Sequence, residues 1–270
     1  MPLPESGMNG PDAATPVPSG VLRSARRLLA RRGRDLAGEF LAEGRQAVRE
    51  ALACPGAVDC VIVDDPVRHA DLVGDPTVPV YTAVASQMKQ LSDTVTPQGI
   101  VAVCRQFSAS LDDLTDARLV VVCAQVRDPG NAGTVIRCAD AFGADAVVLT
   151  SGSVELYNPK TVRASVGSVF HLPIVVGVGL ADAIAALKSR GLQVLAADGG
   201  GESLDELGAA GELSRPVAWM MGNEAWGLPE EDAALADRVV SVPMWGKAES
   251  LNLSSAAAVC LYATASAQRR

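Results

Sequence analysis

The chain has 270 residues, of which 49% are hydrophobic and 20% charged, enough for one large domain or for two domains with separate cores. No apolar run reaches the roughly 18–20 residues that a membrane-spanning helix needs, so no membrane partner is expected. The formal net charge of −8 excludes general electrostatic attraction to nucleic acid, and any nucleic-acid-binding surface must therefore be local.

Residues 1–20 are rich in proline, glycine and small polar residues. They lack the basic start and apolar stretch of a secretory signal, which predicts a flexible tail on a cytoplasmic protein. The six cysteines form no C-x-x-C pair, and the chain has only two histidines. We therefore expect no metal site and no disulfide framework, but reduced and mostly buried thiols.

A small α/β unit is predicted over residues 21–105, because short helical and β-rich segments alternate there. A polar linker is predicted over residues 106–117. The predicted elements of the small unit, in chain order, are helix 21–32, helix 45–54, strand 58–63, strand 78–81, helix 83–91 and strand 100–104.

The charge is unevenly distributed along the chain. Residues 21–50 contain eight arginines and four acidic residues, a local charge of +4, whereas residues 111–270 contain 12 basic and 19 acidic residues, a charge of −7. A basic patch on an acidic protein can bind RNA at a defined place. A solvated helix face explains the same arginines equally well at this point.

Residues 118–270 change to strongly apolar strands that alternate with helices, which predicts a parallel sheet covered by helices on both faces. Ligands of such sheets bind beyond the carboxyl ends of the strands. The predicted strands are 119–124, 146–149, 173–176, 193–197, 217–221 and 238–242, and the predicted helices are 132–142, 180–190 and 251–267.

The first loop of interest, residues 126–137, follows a buried strand and opens a helix. Asn131 stands where an N-cap residue belongs, and Arg137 lies about a turn and a half into the helix. Alone, this segment is also typical of an ordinary helix start with a surface arginine. A nucleotide-binding turn is the other interpretation, but the full G-x-G-x-x-G pattern is absent.

Two further loops follow later strands. Residues 221–229 contain Glu224 between glycines, which let a backbone approach a ligand closely. Residues 242–256 precede the final helix, which Ser250 or Asn252 could cap. Each loop is a weak signal alone. Together the three loops are expected to bring their polar side chains to one edge of the sheet.

Three ordered motifs then indicate a family. They are N-x-G-x-x-x-R at residues 131–137, G-N-E-x-x-G-L at 222–228 and P-M-x-G-x-x-E-S-L-N-x-S at 243–254. With these motifs, the chain resembles the SpoU/TrmH branch of the SPOUT RNA methyltransferases over about residues 21–267. Shorter matches lie at residues 40–44, 91–99, 157–160 and 163–165.

The resemblance implies a C-terminal trefoil knot, one of the rare exceptions to unknotted topology, and a homodimer in which each subunit completes the partner's active site. It implies S-adenosylmethionine as the methyl donor, with no metal. It also implies that residues 21–105 form an RNA-binding domain of ribosomal-protein type. The residues expected to contact the donor are Gly222, Val242, Leu251 and, more weakly indicated, Ala197.

By the same resemblance, Arg137 activates the ribose 2′-hydroxyl, and Asn131, Glu224 and Asn252 position the reacting groups. An arginine is a poor base because its pKa exceeds about 12. Arg137 therefore either receives help as a base or stabilises the developing alkoxide. The residues expected to contact RNA are Arg23, Arg26, Arg27, Arg45, Lys160 and Arg163.

The expected activity is methyl transfer from S-adenosylmethionine to a ribose 2′-hydroxyl of structured RNA, with large-subunit ribosomal RNA favoured over transfer RNA. A non-catalytic RNA-binding protein would lose the polar loop residues, all of which are present. A nucleotide-dependent oxidoreductase requires an acidic residue about 20 residues after a G-x-G-x-x-G turn, which is absent. The residues do not distinguish a housekeeping role from antibiotic resistance.

Overall fold

A computed structural model of the protein describes residues 15–75 and 77–269. The chain divides into two compact units, Met1–Gln106 and Phe107–Arg270. Within the described ranges, no helix is long and apolar enough to cross a membrane.

The first unit is a five-stranded mixed sheet with the strand order β1-β4-β3-β5-β2. Strand β5 is antiparallel to β2 and β3, whereas β4 is parallel to β1 and β3. Its elements are β1 (Thr15–Pro16), α1 (Ser19–Arg27), α2 (Arg31–Ala37), β2 (Glu39–Glu43), α3 (Arg45–Ala53), β3 (Val58–Val63), β4 (Val80–Thr82), α4 (Ala85–Met88) and β5 (Ile100–Arg105).

The single helix expected over residues 21–32 is wrong, because α1 and α2 are separate helices. The buried Arg34 side chain explains the break: its Nη1 donates to the Leu28 carbonyl at 2.7 Å and to the Leu29 carbonyl at 3.0 Å. This guanidinium satisfies carbonyls that are left unpaired where α1 ends.

The flexible tail expected over residues 1–20 is also wrong at its C-terminal end. Thr15 and Pro16 pair with Tyr81 and Thr82 in the sheet, and α1 begins at Ser19. Residues 1–14 lie outside the described part of the chain. The expected linker differs as well, because Ala109 forms a bridge with Val175 and Leu111–Asp113 form a 3₁₀ turn in the second unit.

The second unit is a six-stranded sheet with the order β11-β9-β10-β6-β7-β8. All of its strand pairs are parallel, which confirms the expectation from the apolar strand runs. Its elements are β6 (Leu119–Cys123), α5 (Pro129–Phe142), β7 (Ala146–Thr150), α6 (Pro159–Ser165), β8 (Ile174–Val178), α7 (Leu180–Ser189), β9 (Gln193–Ser203), α8 (Leu204–Ala209), β10 (Val217–Met221), α9 (Glu230–Ala233), β11 (Arg238–Ser241) and α10 (Leu253–Gln268).

Helices cover both faces of this sheet. On one face, Ile184 and Leu187 of α7 pack against strand residues that include Ala218 and Met220 of β10. The intervening Trp219 points to the opposite face, because side chains alternate along a strand. There its Nε1 donates to Thr264 Oγ1 of α10 at 2.8 Å in a fully buried contact.

Sequence reasoning missed β2, α6 and α8, which are too short to show a clear period. It also ended β9 six residues early, at Ala197, because the following segment is rich in glycine. That segment pairs with β11, where a Cβ on Gly201 would lie 2.3 Å from the Val239 backbone. Glycine is required there because two backbones approach closely.

The packing of α5 on α6 depends on Gly133. A Cβ at this position would lie 2.4 Å from the Thr161 carbonyl oxygen and 2.6 Å from Ala164 Cβ. Gly133→Ala is expected to lower the free energy of unfolding by about 1–3 kcal/mol, because a backbone atom must move to accept it. Denaturant unfolding followed by tryptophan fluorescence measures this, since all three tryptophans lie in the second unit.

Gly208→Ala in α8 is the matched control, because its added Cβ would meet only Leu213 Cδ1, at 3.7 Å. This variant is expected to be neutral or slightly stabilising, since alanine is favoured over glycine inside a helix. Equal stability changes in the two variants would contradict the close-packing explanation.

The six cysteines are all free thiols, and Cys60, Cys104, Cys123 and Cys260 are buried, which confirms the expectation that most of them are buried. Burial raises the pKa of Cys60 to about 11 and the pKa values of Cys123 and Cys260 to about 12. A thiol with a pKa near 11 is only about 0.1% thiolate at pH 8, and thiolate is the reactive form.

Iodoacetamide at pH 8 is therefore expected to label only the half-buried Cys54 and Cys138 in the folded protein. Labelling of the buried thiols should increase as the pH rises towards their raised pKa values, or when the chain is denatured. Mass spectrometry of the labelled peptides measures this. Labelling of Cys123 in the folded protein at the denatured rate would contradict it.

Candidate active site

A cavity of about 360 Å³ lies where β10 and β11 end, against the middle of β9 at Ala197, Asp198 and Gly199. All four residues expected to contact the donor line this one cavity: Ala197, Gly222, Val242 and Leu251. In the sheet, Met221 pairs with Ala197 on one side and with Cys123 on the other. The cavity therefore lies at the edge where the sequence placed the three loops.

The loop after β10 folds back tightly on itself. The Asn223 amide donates to the Gly227 carbonyl at 2.8 Å, and the Gly227 amide donates to the Asn223 carbonyl at 2.9 Å. A Cβ on Gly222 would lie 2.5 Å from the Gly227 backbone, so this turn requires glycine at the cavity wall. Gly227 has a φ of +66°, which also favours glycine.

Glu224 joins this loop to the loop after β6. Its Oε2 accepts from the Arg127 amide at 3.2 Å, and its Oε1 accepts from the Asp128 amide at 3.0 Å and from Asn131 Nδ2 at 3.3 Å. Asn252 Nδ2 in turn donates to Asn131 Oδ1 at 3.0 Å. Three of the four residues expected to be catalytic thus form one hydrogen-bonded chain across three loops.

Asn131 is not the N-cap of α5, contrary to expectation. Asp128 is the N-cap, and its Oδ1 accepts from the Asn131 amide at 2.8 Å. The helix begins earlier because Pro129 is favoured in its first turn. The Asn131 side chain is therefore available to connect Glu224 with Asn252.

Asn252, rather than Ser250, caps α10. Its Oδ1 accepts from the Ser254 amide at 2.9 Å and from the Ser255 amide at 3.4 Å, while its Nδ2 reaches Asn131. The Asn252 side chain therefore caps the last helix, at the end of the loop that lines the cavity, and also joins the hydrogen-bonded chain of Glu224 and Asn131.

Arg137 is not brought to this cluster within one chain. It is exposed on α5, does not line the cavity, and forms no hydrogen bond or ion pair within residues 15–75 and 77–269. Arg137 stands six positions after Asn131. On an α-helix this offset rotates the side-chain direction by about 240° around the helix axis and moves it about 9 Å along the axis. The two side chains therefore lie on different faces of α5.

The six residues expected to contact RNA differ in their surroundings. Arg23, Arg26, Arg27 and Lys160 are exposed, and Arg163 is half-buried. Arg45 instead forms a bidentate ion pair with Asp71 at 2.8 and 2.7 Å, and its Nη1 lies 2.9 Å from His69 Nδ1. The hydrogen bond from Arg45 is the main cause of a lowered pKa at Asp71. The Arg45 guanidinium therefore already has partners within the first unit.

Sequence reasoning missed several residues at the cavity. Asp198 and Glu249 line it alongside Glu224, so carboxylates supply its charged groups. Asn223 is buried, and its Nδ2 donates to the Gln125 carbonyl at 2.7 Å. Asp198 could have been found from the sequence, because it directly follows Ala197, an expected donor contact. Among the described residues, no cluster of His, Cys, Asp and Glu is arranged to hold a metal ion.

A parallel sheet covered by helices, with a cavity and a polar cluster where β10 ends, defines an α/β protein of the class in which loops at the strand ends carry the chemistry. The model of the SpoU rRNA methylase family matches residues 118–262, and that of an MRM3-like substrate-binding domain matches residues 21–102. The chain belongs to the SpoU rRNA methylase family.

Similar proteins extend over nearly the whole chain. The 23S rRNA (guanosine(2553)-2′-O)-methyltransferase RlmP of Bacillus subtilis is 37% identical over 243 residues, 88% of this chain and 92% of the relative. The SpoU methyltransferase AviRb from Streptomyces viridochromogenes has a TM-score of 0.80 at 27% identity, covering 93% of this chain and 98% of its own. An AdoMet-bound rRNA methyltransferase from Sinorhizobium meliloti has a TM-score of 0.78 at 30% identity, with coverages of 93% and 96%.

Two substitutions separate the roles of Asn252. Asn252→Ala removes both the helix cap and the contact with Asn131, and is expected to lower the free energy of unfolding by about 1 kcal/mol. Asn252→Asp keeps a good cap but cannot donate to Asn131, and is expected to stay within about 0.5 kcal/mol of the wild type. Chemical denaturation measures both changes. Equal destabilisation by the two substitutions would show that capping is not the stabilising role.

Proposed function

We propose that the protein transfers a methyl group from S-adenosylmethionine to a ribose 2′-hydroxyl of ribosomal RNA, with large-subunit RNA as the substrate. The observation that carries the proposal is the hydrogen-bonded chain of Glu224, Asn131 and Asn252 beside the cavity. The family membership and the 23S rRNA methyltransferase relative support it.

The cavity suits the donor chemically. Gly222, Val242 and Leu251 provide glycine and apolar surface, which a flat adenine needs together with main-chain hydrogen bonds. Asp198 and Glu249 provide negative charge near a donor that carries both a sulfonium and an ammonium group. An AdoMet-bound relative with the same fold supports this assignment of the cavity.

In the reaction, the ribose oxygen forms a bond to the methyl carbon while the carbon–sulfur bond breaks, leaving a neutral thioether. The hydroxyl proton passes to solvent water as the new bond forms, because a neutral hydroxyl is a weak nucleophile. Arg137 is assigned to the ribose oxygen, where a guanidinium orients the hydroxyl and stabilises its developing negative charge. Asn131, Glu224 and Asn252 hold the loops so that donor and acceptor stay aligned.

Because Arg137 is exposed and does not line the cavity of its own chain, we assign it to the active site of a second subunit in a homodimer. Arg137 lies on α5, and α5 packs against α10. On α10, Val259 is 39% and Tyr262 62% exposed, and the Tyr262 ring lies 5.7 Å from that of Phe142 on α5. Exposed apolar side chains on this pair of helices support a subunit interface there.

We also propose that the C-terminal segment is knotted, as the family resemblance implies. The chain leaves β11 at one edge of the sheet, lines the cavity at Val242 and Leu251, and enters α10, which packs against α5 and β10. Because this path runs next to the 222–227 loop, it supports the proposal that the C-terminal segment is threaded through a loop of the chain.

We further propose that residues 21–105 bind the RNA substrate and that residues 118–270 carry out methyl transfer in the cytoplasm. The match to a substrate-binding domain model supports the first assignment. The exposed Arg23, Arg26 and Arg27 of α1 are the proposed phosphate contacts of this unit, with Lys160 and Arg163 in the second unit.

The direct test is to compare ribose methylation of ribosomal RNA from cells with and without the gene, followed by methylation of the deficient RNA by purified protein. One unmodified nucleotide that regains its 2′-O-methyl group is expected. Methylation of transfer RNA instead would replace the proposed substrate, and no affinity for S-adenosylmethionine in calorimetry would overturn the proposal.

Arg137→Ala is expected to abolish methyl transfer and leave donor binding unchanged, since Arg137 does not line the cavity. Leu251→Trp, which fills the cavity, is expected to lose donor binding. If Arg137 acts on the partner's site, an equal mixture of the two inactive variants should regain about one quarter of wild-type activity, because half of the dimers then contain one intact site. A mixture that stays inactive although the subunits exchange would place Arg137 in the site of its own chain.

A further inference from the structure

A tryptophan and an arginine from two loops are stacked at the edge of the proposed active site. The Arg127 guanidinium carbon lies 4.8 Å from the centroid of the Trp226 ring. Arg127 is exposed, and Trp226 is 49% exposed. Trp226 stands two residues after Glu224 in the tight loop that borders the cavity.

The contacts within the fold do not explain why an indole stands here. Trp219, by contrast, is fully buried and donates to Thr264. A cation–π contact at an exposed site contributes little to stability, and about half of the Trp226 side chain remains in water. Within the described residues, Arg127 forms no ion pair with a carboxylate.

The pair is held in place by its backbone. Glu224 Oε2 accepts from the Arg127 amide, which fixes the loop of Arg127 to the loop of Trp226. The hydrogen bonds between Asn223 and Gly227 enclose Trp226 in a closed turn. Two large side chains are therefore presented on anchored backbones, which lowers the entropy lost when a ligand binds them.

We propose that Trp226 and Arg127 form a nucleobase-binding platform for the RNA substrate. An unpaired base of the RNA stacks on the indole, and the guanidinium pairs with a phosphate of the same strand. The chemistry fits RNA because recognition of unpaired nucleotides relies on stacking onto aromatic side chains and on guanidinium planes. The inference rests on the proposed function, since it names what holds the substrate beside the cavity.

The platform also meets a geometric need of the reaction. A ribose hydroxyl in regular A-form RNA is held by its stacked neighbours, and enzymes that act on one nucleotide of a duplex take it out of the stack. A surface that accepts a displaced base next to the cavity compensates for the lost stacking. Base–aromatic stacking contributes about 1–3 kcal/mol per base.

Steady-state methylation of RNA by Trp226→Ala tests the platform. Its KM for RNA is expected to rise roughly 5- to 150-fold, the equivalent of one lost stacking contact, while the Kd for S-adenosylmethionine changes less than about twofold. Trp226→Phe should recover most of the affinity, because a smaller ring still stacks. Trp245→Ala is the matched control, since Trp245 is 88% exposed and no arginine within residues 15–75 and 77–269 lies over its ring.

Arg127→Ala is expected to reduce the slope of log KM against log salt by about one, the signature of one lost phosphate contact, and Arg127→Lys should restore that slope. The double variant should raise KM by less than the product of the two single effects, because the two side chains act together.

Four outcomes would overturn the platform: unchanged KM for RNA in Trp226→Ala, an equal rise in Trp245→Ala, weaker subunit association in Trp226→Ala with unchanged RNA binding by dimers, or a weaker donor Kd as its main effect. Each leaves the proposed function intact if the wild type methylates RNA.

If the wild type methylates no RNA, quenching of fluorescence in Trp245→Phe by a short single-stranded RNA still tests the platform, because Trp226 is then its exposed tryptophan. No quenching would overturn it.

Discussion

The Glu224 carboxylate is the contact on which the site depends. It accepts two backbone amides and the Asn131 side chain from a segment more than 90 residues earlier in the chain. Hydrogen bonds to a charged acceptor are roughly twice as strong as neutral ones. Without this carboxylate, the amides at the start of α5 would lose their acceptor and the loops after β6 and β10 would be joined mainly through Asn223 and Gln125.

Asn252 extends the same constraint to the end of the chain. Because it caps α10 and also contacts Asn131, the last helix, the wall of the cavity and the polar cluster are fixed together. For the proposed reaction, this edge of the sheet is preorganised to align donor and acceptor. Arg137 is the one expected catalytic group that this edge does not hold, which is why a second subunit enters the proposal.

The charged residues of the cavity and the exposed arginines differ in sign. The cavity is lined by the acidic Asp198, Glu224 and Glu249, which suits a cationic donor, although an RNA strand is polyanionic. Exposed arginines lie elsewhere, on α1 and at Arg127, and are the proposed source of the positive charge that RNA needs. An acidic protein can thus bind RNA, because its attraction is local rather than spread over the whole surface.

The sequence by itself determined the parallel sheet, the bounds of β10, the burial of most cysteines and the three loops that meet at the candidate site. Runs of apolar residues and the order of motifs are properties of the linear sequence, so they can be recognised without knowing the folded structure. Only the tertiary structure decided that Asp128 and not Asn131 caps α5, that Arg45 is paired with Asp71, and that Arg127 covers Trp226. The contacts of Arg45 and Arg127 join residues that are distant in sequence. The Asn131 side chain likewise accepts a hydrogen bond from Asn252, which lies 121 residues later in the chain. Such pairings depend on which segments the folded backbone brings within hydrogen-bonding or stacking distance, which local propensity does not encode.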